Sequence, residues 1–308
     1  MWKKWSVVLL VLCLLCAACT QNAPEGTATN GTGTAFPVQA TDLMGQTVTV
    51  NSAPQKIVSL SPSTTEILFA LGLGEKVIGV DDMSNYPEKA AETPQMGDYN
   101  GPNVELIASA QADLILAGNT LQSEAITALQ ALNVPVAGVE AQSLAQIYDS
   151  ILLIGTLTGA DTQAQNLVAE LKQKEQSIAE LAKKLPNKPK VYYVMSFGEF
   201  GNWTCGSGTM IDDYITLCGG VNIAHDGGAP WMDFSLEKVV EGNPDILLLD
   251  SNAGTVEQLA AEQSYAQTAA VANSHVFVLP ADVISRPGPR MAEAMEQIYN
   301  AIAAVAAP

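Results

Sequence analysis

Tyr99-Asn100-Gly101-Pro102-Asn103-Val104-Glu105, running on to Ala112-Asp113-Leu114-Ile115-Leu116, has a counterpart far down the chain. That counterpart is Trp231-Met232-Asp233-Phe234-Ser235-Leu236-Glu237, followed by Pro244-Asp245-Ile246-Leu247-Leu248. An aromatic, a glutamate and an aspartate recur at one offset: 231−99, 237−105 and 245−113 all equal 132. Three positions repeated in three contexts point to two structurally equivalent lobes. Two lobes leave a cleft between them, and clefts are where ligands bind.

The flanking segments repeat one plan. In the first half, β-branched or apolar runs at 56–60, 76–80, 113–117 and 135–139 read as strands, with a helix over 64–71. Ser63 and Glu66 have the spacing of a capping box for that helix. In the second half, strands are expected at 190–195, 245–250 and 275–279, and a helix at 209–217. Near-continuous apolar strands alternating with helices imply parallel sheets covered on both faces. Between the halves, Leu167, Leu171, Lys174, Ile178, Leu181 and Leu185 recur at helical spacing, with Asp161 as N-cap and Pro186 as stop. A closing amphipathic helix is expected over 289–307. The expected fold is α/β: two three-layer α/β/α lobes with mainly parallel sheets, joined by a single long helix, with the ligand cleft between them. The lobes should span 36–158 and 187–308, with the connecting helix at 159–186. One stiff connection implies small lobe motion.

The N-terminus is of another kind. Met1-Trp2-Lys3-Lys4-Trp5 and the apolar run up to Ala18 describe an export signal over 1–18, too short to span a bilayer. Ala17-Ala18-Cys19 resembles the lipobox of bacterial lipoproteins, although Cys16 stands where that motif usually has Leu. The resemblance implies a lipidated Cys19 anchoring the chain to the extracytoplasmic face of a membrane. Residues 19–35 then form a polar Gly/Thr-rich tether. Beyond it lie 308−35 = 273 residues, more than one ordinary core holds. Without Lys3 and Lys4 the charge balance is 12−32 = −20, which argues against nucleic acid as a partner. Apart from Cys19, the exported part keeps only Cys205 and Cys218, open to a disulfide or to two buried thiols.

Lys56 to Glu66 (KIVSLSPSTTE), Leu71-Gly72-Leu73-Gly74, Asn103-Val104-Glu105, Cys218 to Ile223 (CGGVNI) and Pro230-Trp231 together resemble the helical-backbone substrate-binding proteins of ABC importers. Within that family the likeness is to vitamin B12-binding members, and it covers the chain from about Thr41 to the end. It implies a monomer that binds a small-molecule chelate between its lobes and docks on a permease. The transported ligand would be a cobalt corrinoid, a ferric siderophore or haem, in that order, with no resident cofactor or metal.

Glu105 and Glu237 each follow a good N-cap by two residues, so each belongs to the first turn of a helix and complements its dipole. The resemblance adds that one such glutamate per lobe pairs with permease arginines. Tyr99 and Trp231 lie six residues before those acids and would face each other across the cleft, holding a flat apolar ligand, or else pack their loops locally. Trp203 lies in a glycine-punctuated loop, while Phe197 suits a core. Asp282 and Arg286 follow the last strand, where α/β folds place ligands, and Arg290 would pair within its own helix. The resemblance assigns Trp203, Trp231, Asp282 and Arg286 to the cleft. Met83 and Gly118 stand where the B12-binding members have aromatics, making the first-lobe wall less aromatic, and Met83 would line the cleft adaptably.

An enzyme is the competing class. Only His225 and His275 could act as general bases, no G-x-S-x-G elbow occurs, and Cys205-Gly206-Ser207-Gly208-Thr209 lacks a phosphate-loop lysine. Two separated histidines also argue against a histidine cluster for a transported zinc or manganese. An adhesive lipoprotein with an unused cleft is the third reading, which the duplicated acids disfavour.

Overall fold

The apolar runs around each copy of the repeat become two sheets of identical topology. The computed structural model describes residues 34–118 and 122–306. It opens on an antiparallel hairpin that the sequence reading did not contain, β1 (Val38–Thr41) and β2 (Thr47–Val50). The first lobe continues as β3 (Ile57–Ser59), α1 (Pro62–Ala70), β4 (Val77–Val80), α2 (Val104–Ala110), β5 (Leu114–Ala117), α3 (Ser123–Gln130) and β6 (Val136–Gly138). Next come α4 (Leu144–Thr158) and the connecting helix α5 (Asp161–Ala182). The second lobe holds β7 (Lys190–Val194), β8 (Trp203–Cys205), α6 (Met210–Leu217), β9 (Val221–Asn222), β10 (Trp231–Asp233), α7 (Leu236–Gly242), β11 (Ile246–Asp250), α8 (Val256–Ala261), α9 (Ala269–Ala272) and β12 (Val276–Leu279). The short α10 (Ala281–Ile284) and α11 (Met291–Ala306) close the chain.

Both main sheets are parallel throughout, in the orders β4-β3-β5-β6 and β9-β7-β11-β12. In each, the sheet's first strand has its second on one side and its third on the other. Leu114 to Ala117 and Ile246 to Leu249 are buried along their whole length, which is why these strands show no alternation.

Asp113 and Asp245 explain one member of the repeat. Asp113 Oδ2 accepts hydrogen bonds from the Gln55 and Lys56 amides at 2.9 and 3.0 Å, and Asp245 Oδ2 accepts one from the Lys190 amide at 2.8 Å. Each aspartate ties the start of its own strand to the start of the lobe's first strand. The third repeated residue is therefore structural.

Two local expectations are corrected. Helix α1 is capped by Ser61, with Pro62 in its first turn and no side-chain cap bond, so the capping box read at Ser63 and Glu66 does not form. Likewise Ala160, not Asp161, caps α5, and Asp161 accepts from Thr156 Oγ1 at 3.0 Å. The buried face of α5 carries Ala164, Val168, Leu171 and Ile178, while Leu181 is exposed. One apolar core runs through both lobes, from Ile57 and Leu114 across α4 and α5 to Tyr193, Ile246 and α11. The connection is thus packed into the core along its length rather than spanning open solvent.

Candidate functional site

The carboxyl ends of the parallel strands of both lobes converge on one seam, the position at which α/β sheets bind ligands. Ser61 to Ser63 follow β3, Asp81 to Met83 follow β4, Glu140 follows β6, Asn252 follows β11, and Asp282 to Pro287 follow β12. A cavity of about 230 Å³ in the seam is lined by Ser63, Met83, Tyr99, Glu140, Asn252, Asp282, Ser285 and Arg286, among others. A second, of about 130 Å³, shares Tyr99, Glu140, Ser285 and Pro287 with it and adds Gln142, Met210 and Trp231.

Of the residues singled out in the sequence, Met83, Tyr99, Asp282 and Arg286 border the larger cavity, and Tyr99 and Trp231 border the smaller one. Met83 is 53% exposed. Its turn is held by buried Asp81, which accepts from the Met83 amide at 2.8 Å and from Ser84 Oγ at 2.6 Å; burial raises the Asp81 pKa. Tyr99 sits in a turn, its amide donating to Asp82 and its hydroxyl to Glu140 Oε2 at 2.6 Å. Trp231 lies on β10, which pairs antiparallel with β8. Trp203 is on β8 itself, where a loop was expected; it is 42% exposed and borders neither cavity. Phe197 packs beside the second-lobe core, edge-on to Tyr265.

Arg286 and Arg290 behave differently from their sequence reading. Arg286 is buried, and its guanidinium donates to Glu66 Oε1 (3.0 Å), Asn85 Oδ1 (2.9 Å) and the Met83 carbonyl (3.1 Å) and forms an ion pair with Asp282 Oδ2 at 2.8 Å. Arg290, expected to pair within its helix, instead reaches Glu66 through Nε (2.9 Å) and an NH2 (2.6 Å), and donates to the Asp282 carbonyl. Burial alone would lower the Arg290 pKa, but the hydrogen bonds and charge of Glu66 hold it above its ordinary value. The Tyr86 ring lies 4.3 Å from its guanidinium carbon. Glu66 thus binds two arginines of the other lobe, closing the seam with a buried ionic latch.

Sequence reasoning missed Glu66, Glu140, Asn85 and Gln122. Glu66 was hidden by its fit to a local capping pattern. Glu140 had a usable signal, since it directly follows the last strand of the first lobe. Its Oε1 accepts from Ser61 Oγ at 2.8 Å and Ser63 Oγ at 3.4 Å. Gln122 donates to the carbonyls of Leu60 and Tyr99 and accepts from the Gly118 amide, fixing the Tyr99 turn. A Cβ on Gly118 would stand 3.1 Å from Glu140 Oε2 and 3.3 Å from Gln122, so a side chain there would press on both.

Glu105 and Glu237 are exposed in the first turns of α2 and α7. Asn103 caps α2 through its side chain, whereas Ser235 caps α7 without a side-chain bond. Cys205 and Cys218 are free, fully buried thiols, so the disulfide left open by the sequence is not formed. Burial pushes both up to about 12, which makes them inert. His225 pairs with Asp212 at 2.8 Å, away from the seam cavities, and His275 faces the Asp245 carbonyl. Cys19 lies outside the described residues.

The chain is similar in sequence and fold to known proteins. Residues 57–283 match the family model described as periplasmic binding protein. The chain is 32% identical over 306 residues to YvrC of Bacillus subtilis, an uncharacterized ABC transporter substrate-binding lipoprotein, covering 97% of this chain and 96% of that one. It is 30% identical over 251 residues to the vitamin B12-binding protein of Vibrio campbellii, covering 80% and 89%. It is also similar to the structure of the periplasmic heme-binding protein RhuT of Roseiflexus sp. RS-1, with a TM-score of 0.76, 28% identity, and coverage of 82% of this chain and 99% of that chain. The chain belongs to the periplasmic binding protein family.

Proposed function

We propose that this protein captures a cobalt corrinoid in the seam between its lobes and delivers it to the permease of an ABC importer. The observation that carries this is the convergence of Met83, Tyr99, Trp231 and a ring of polar strand-end residues on two adjoining cavities. Aromatic and thioether side chains suit the face of a flat macrocycle, and the polar groups suit its rim. Each cavity is smaller than the roughly 300 Å³ at which pockets for drug-sized ligands begin, so the seam widens to admit a chelate. The core shared around α4, α5 and α11 keeps that widening small. Glu105 and Glu237 dock the loaded protein on permease arginines, and a lipid on Cys19 keeps the monomer at the extracytoplasmic membrane face. The protein acts as a carrier, without turnover.

The similarity to the vitamin B12-binding protein of Vibrio campbellii favours a corrinoid. Ferric siderophores and haem are the alternative, favoured by the similarity to RhuT and by Tyr99, a phenol of the kind that ligates iron. The test is to mix the purified protein with cyanocobalamin, a ferric siderophore or haem, desalt, and record the visible spectrum. A stoichiometric corrinoid spectrum is expected; co-elution of haem without cobalamin would overturn the assignment.

A further inference from the structure

We propose that the seam selects neutral or cationic chelates that present hydrogen-bond donors, and that Glu140 is the residue reading those donors; this rests on the seam being the ligand site.

The arginines come first. Both guanidiniums at the seam are engaged by the protein itself, Arg286 by Glu66, Asn85, Asp282 and the Met83 carbonyl, and Arg290 by Glu66 and the Asp282 carbonyl. A ligand carboxylate would have to displace Glu66 or Asp282 to reach either one. Breaking a buried pair in that way leaves a desolvated charge, a large penalty.

Among the described residues, the other charged groups bordering the two cavities are the carboxylates of Glu140 and Asp282. Glu140 borders both. It is held in one orientation by hydroxyl donors on each side, Ser61 and Ser63 on Oε1 and Tyr99 on Oε2. Gly118 lies beside its Oε2 oxygen, 3.1 Å from where a Cβ would stand. An amide or ammonium donor meeting this carboxylate forms a charge-assisted hydrogen bond, the strong kind. A ligand carboxylate or catecholate in the same place meets like charge in a partly desolvated groove. The formal charge of −18 over the whole chain acts in the same direction.

Titration of tryptophan fluorescence tests this with four probes: carboxamide-rich, neutral cyanocobalamin; a cationic ferric trihydroxamate; dianionic haem; and a polyanionic ferric tricatecholate. The first two should bind, and the anionic pair should bind at least about tenfold more weakly. Glu140→Gln should weaken the first two by about tenfold and narrow the gap to the anions, with an unchanged melting curve. An anionic chelate that binds as tightly as the neutral and cationic ones overturns the inference, and so does Glu140→Gln leaving affinity within about twofold of the parent. The wild-type panel decides the charge rule even where the variant folds poorly. If the hydroxamate binds and responds to Glu140→Gln while cyanocobalamin does not bind, the corrinoid assignment falls and the inference stands. If none of the four binds, both fall.

Discussion

Residues 99–118 and 231–250 follow one plan until they reach the cleft, and there they part. Both contain a seven-residue helix that buries one central apolar side chain, Ile107 in α2 and Val239 in α7, at the same offset of 239−107 = 132. Both helices end on a left-handed residue, Gln111 and Asn243, and 243−111 is again 132. Both lead to an aspartate that pins the first strand of the lobe. The leading aromatics differ. Tyr99 stands in a turn and donates its hydroxyl to Glu140, while Trp231 is part of a two-stranded ribbon, β8 with β10, that has no first-lobe counterpart among the described residues. The duplicated parts are those each lobe needs in order to fold, plus one outward carboxylate. The wall of the seam is where the two copies diverge.

The helices that follow each lobe's first strand diverge in the same way. Glu66 of α1 crosses the seam to Arg286 and Arg290, whereas Asp212 of α6 stays at home with His225 and Asn222. Among the described residues the latch is present once.

The largest expected effect tests the outward acids as an equivalent pair. Replacing Glu105 and Glu237 together with Ala should abolish transport in cells carrying the variant as their sole copy. Chelate affinity of the purified protein should stay unchanged, and each single replacement should leave partial transport. Total loss from one single replacement alone would break the equivalence; unchanged transport in the double variant would remove docking.

Glu66→Gln sharpens the asymmetry of the latch. It removes the carboxylate from two guanidiniums whose side chains are only 8% and 14% exposed. Removing one partner of a buried ion pair costs about 3–5 kcal/mol, to be read as a shift of the urea midpoint at constant slope. A loss below about 1 kcal/mol would put the arginines in the ordinary surface class. The smallest effect belongs to Asp113→Ala and Asp245→Ala, each expected to cost about 1 kcal/mol, because the amide bonds they accept are partly solvated. Thermal melts that differ by several-fold between the two variants would show that the lobes do not use their aspartates alike.

The duplication was legible because it is local. Between their flanking aspartates, runs such as 114–117 and 246–249 are apolar along their whole length, and that pattern needs only the knowledge that parallel strands are covered on both faces. Residues 190–195 and 275–279 were located for the same reason, to within a residue or two at each end. The cleft was half legible. Met83, Tyr99, Trp231, Asp282 and Arg286 border the two cavities, each lying after a strand or just before a repeated helix. Trp203 was misjudged as a loop residue because a three-residue strand is too short to show a period. Arg290 was read as pairing within its helix, because nothing in the order of residues says that Glu66, 224 positions earlier, is its partner.

The sequence by itself determined the two-lobed plan, the parallel sheets, the connecting helix and the paired acids, because periodicity and repetition are properties of neighbours along the chain. Tertiary structure alone decided that the arginines latch the seam, that Glu140 borders both cavities, and that the two thiols remain apart. Those outcomes depend on which distant side chains share a small desolvated volume, where an unpaired charge is costly and each partner is chosen by geometry.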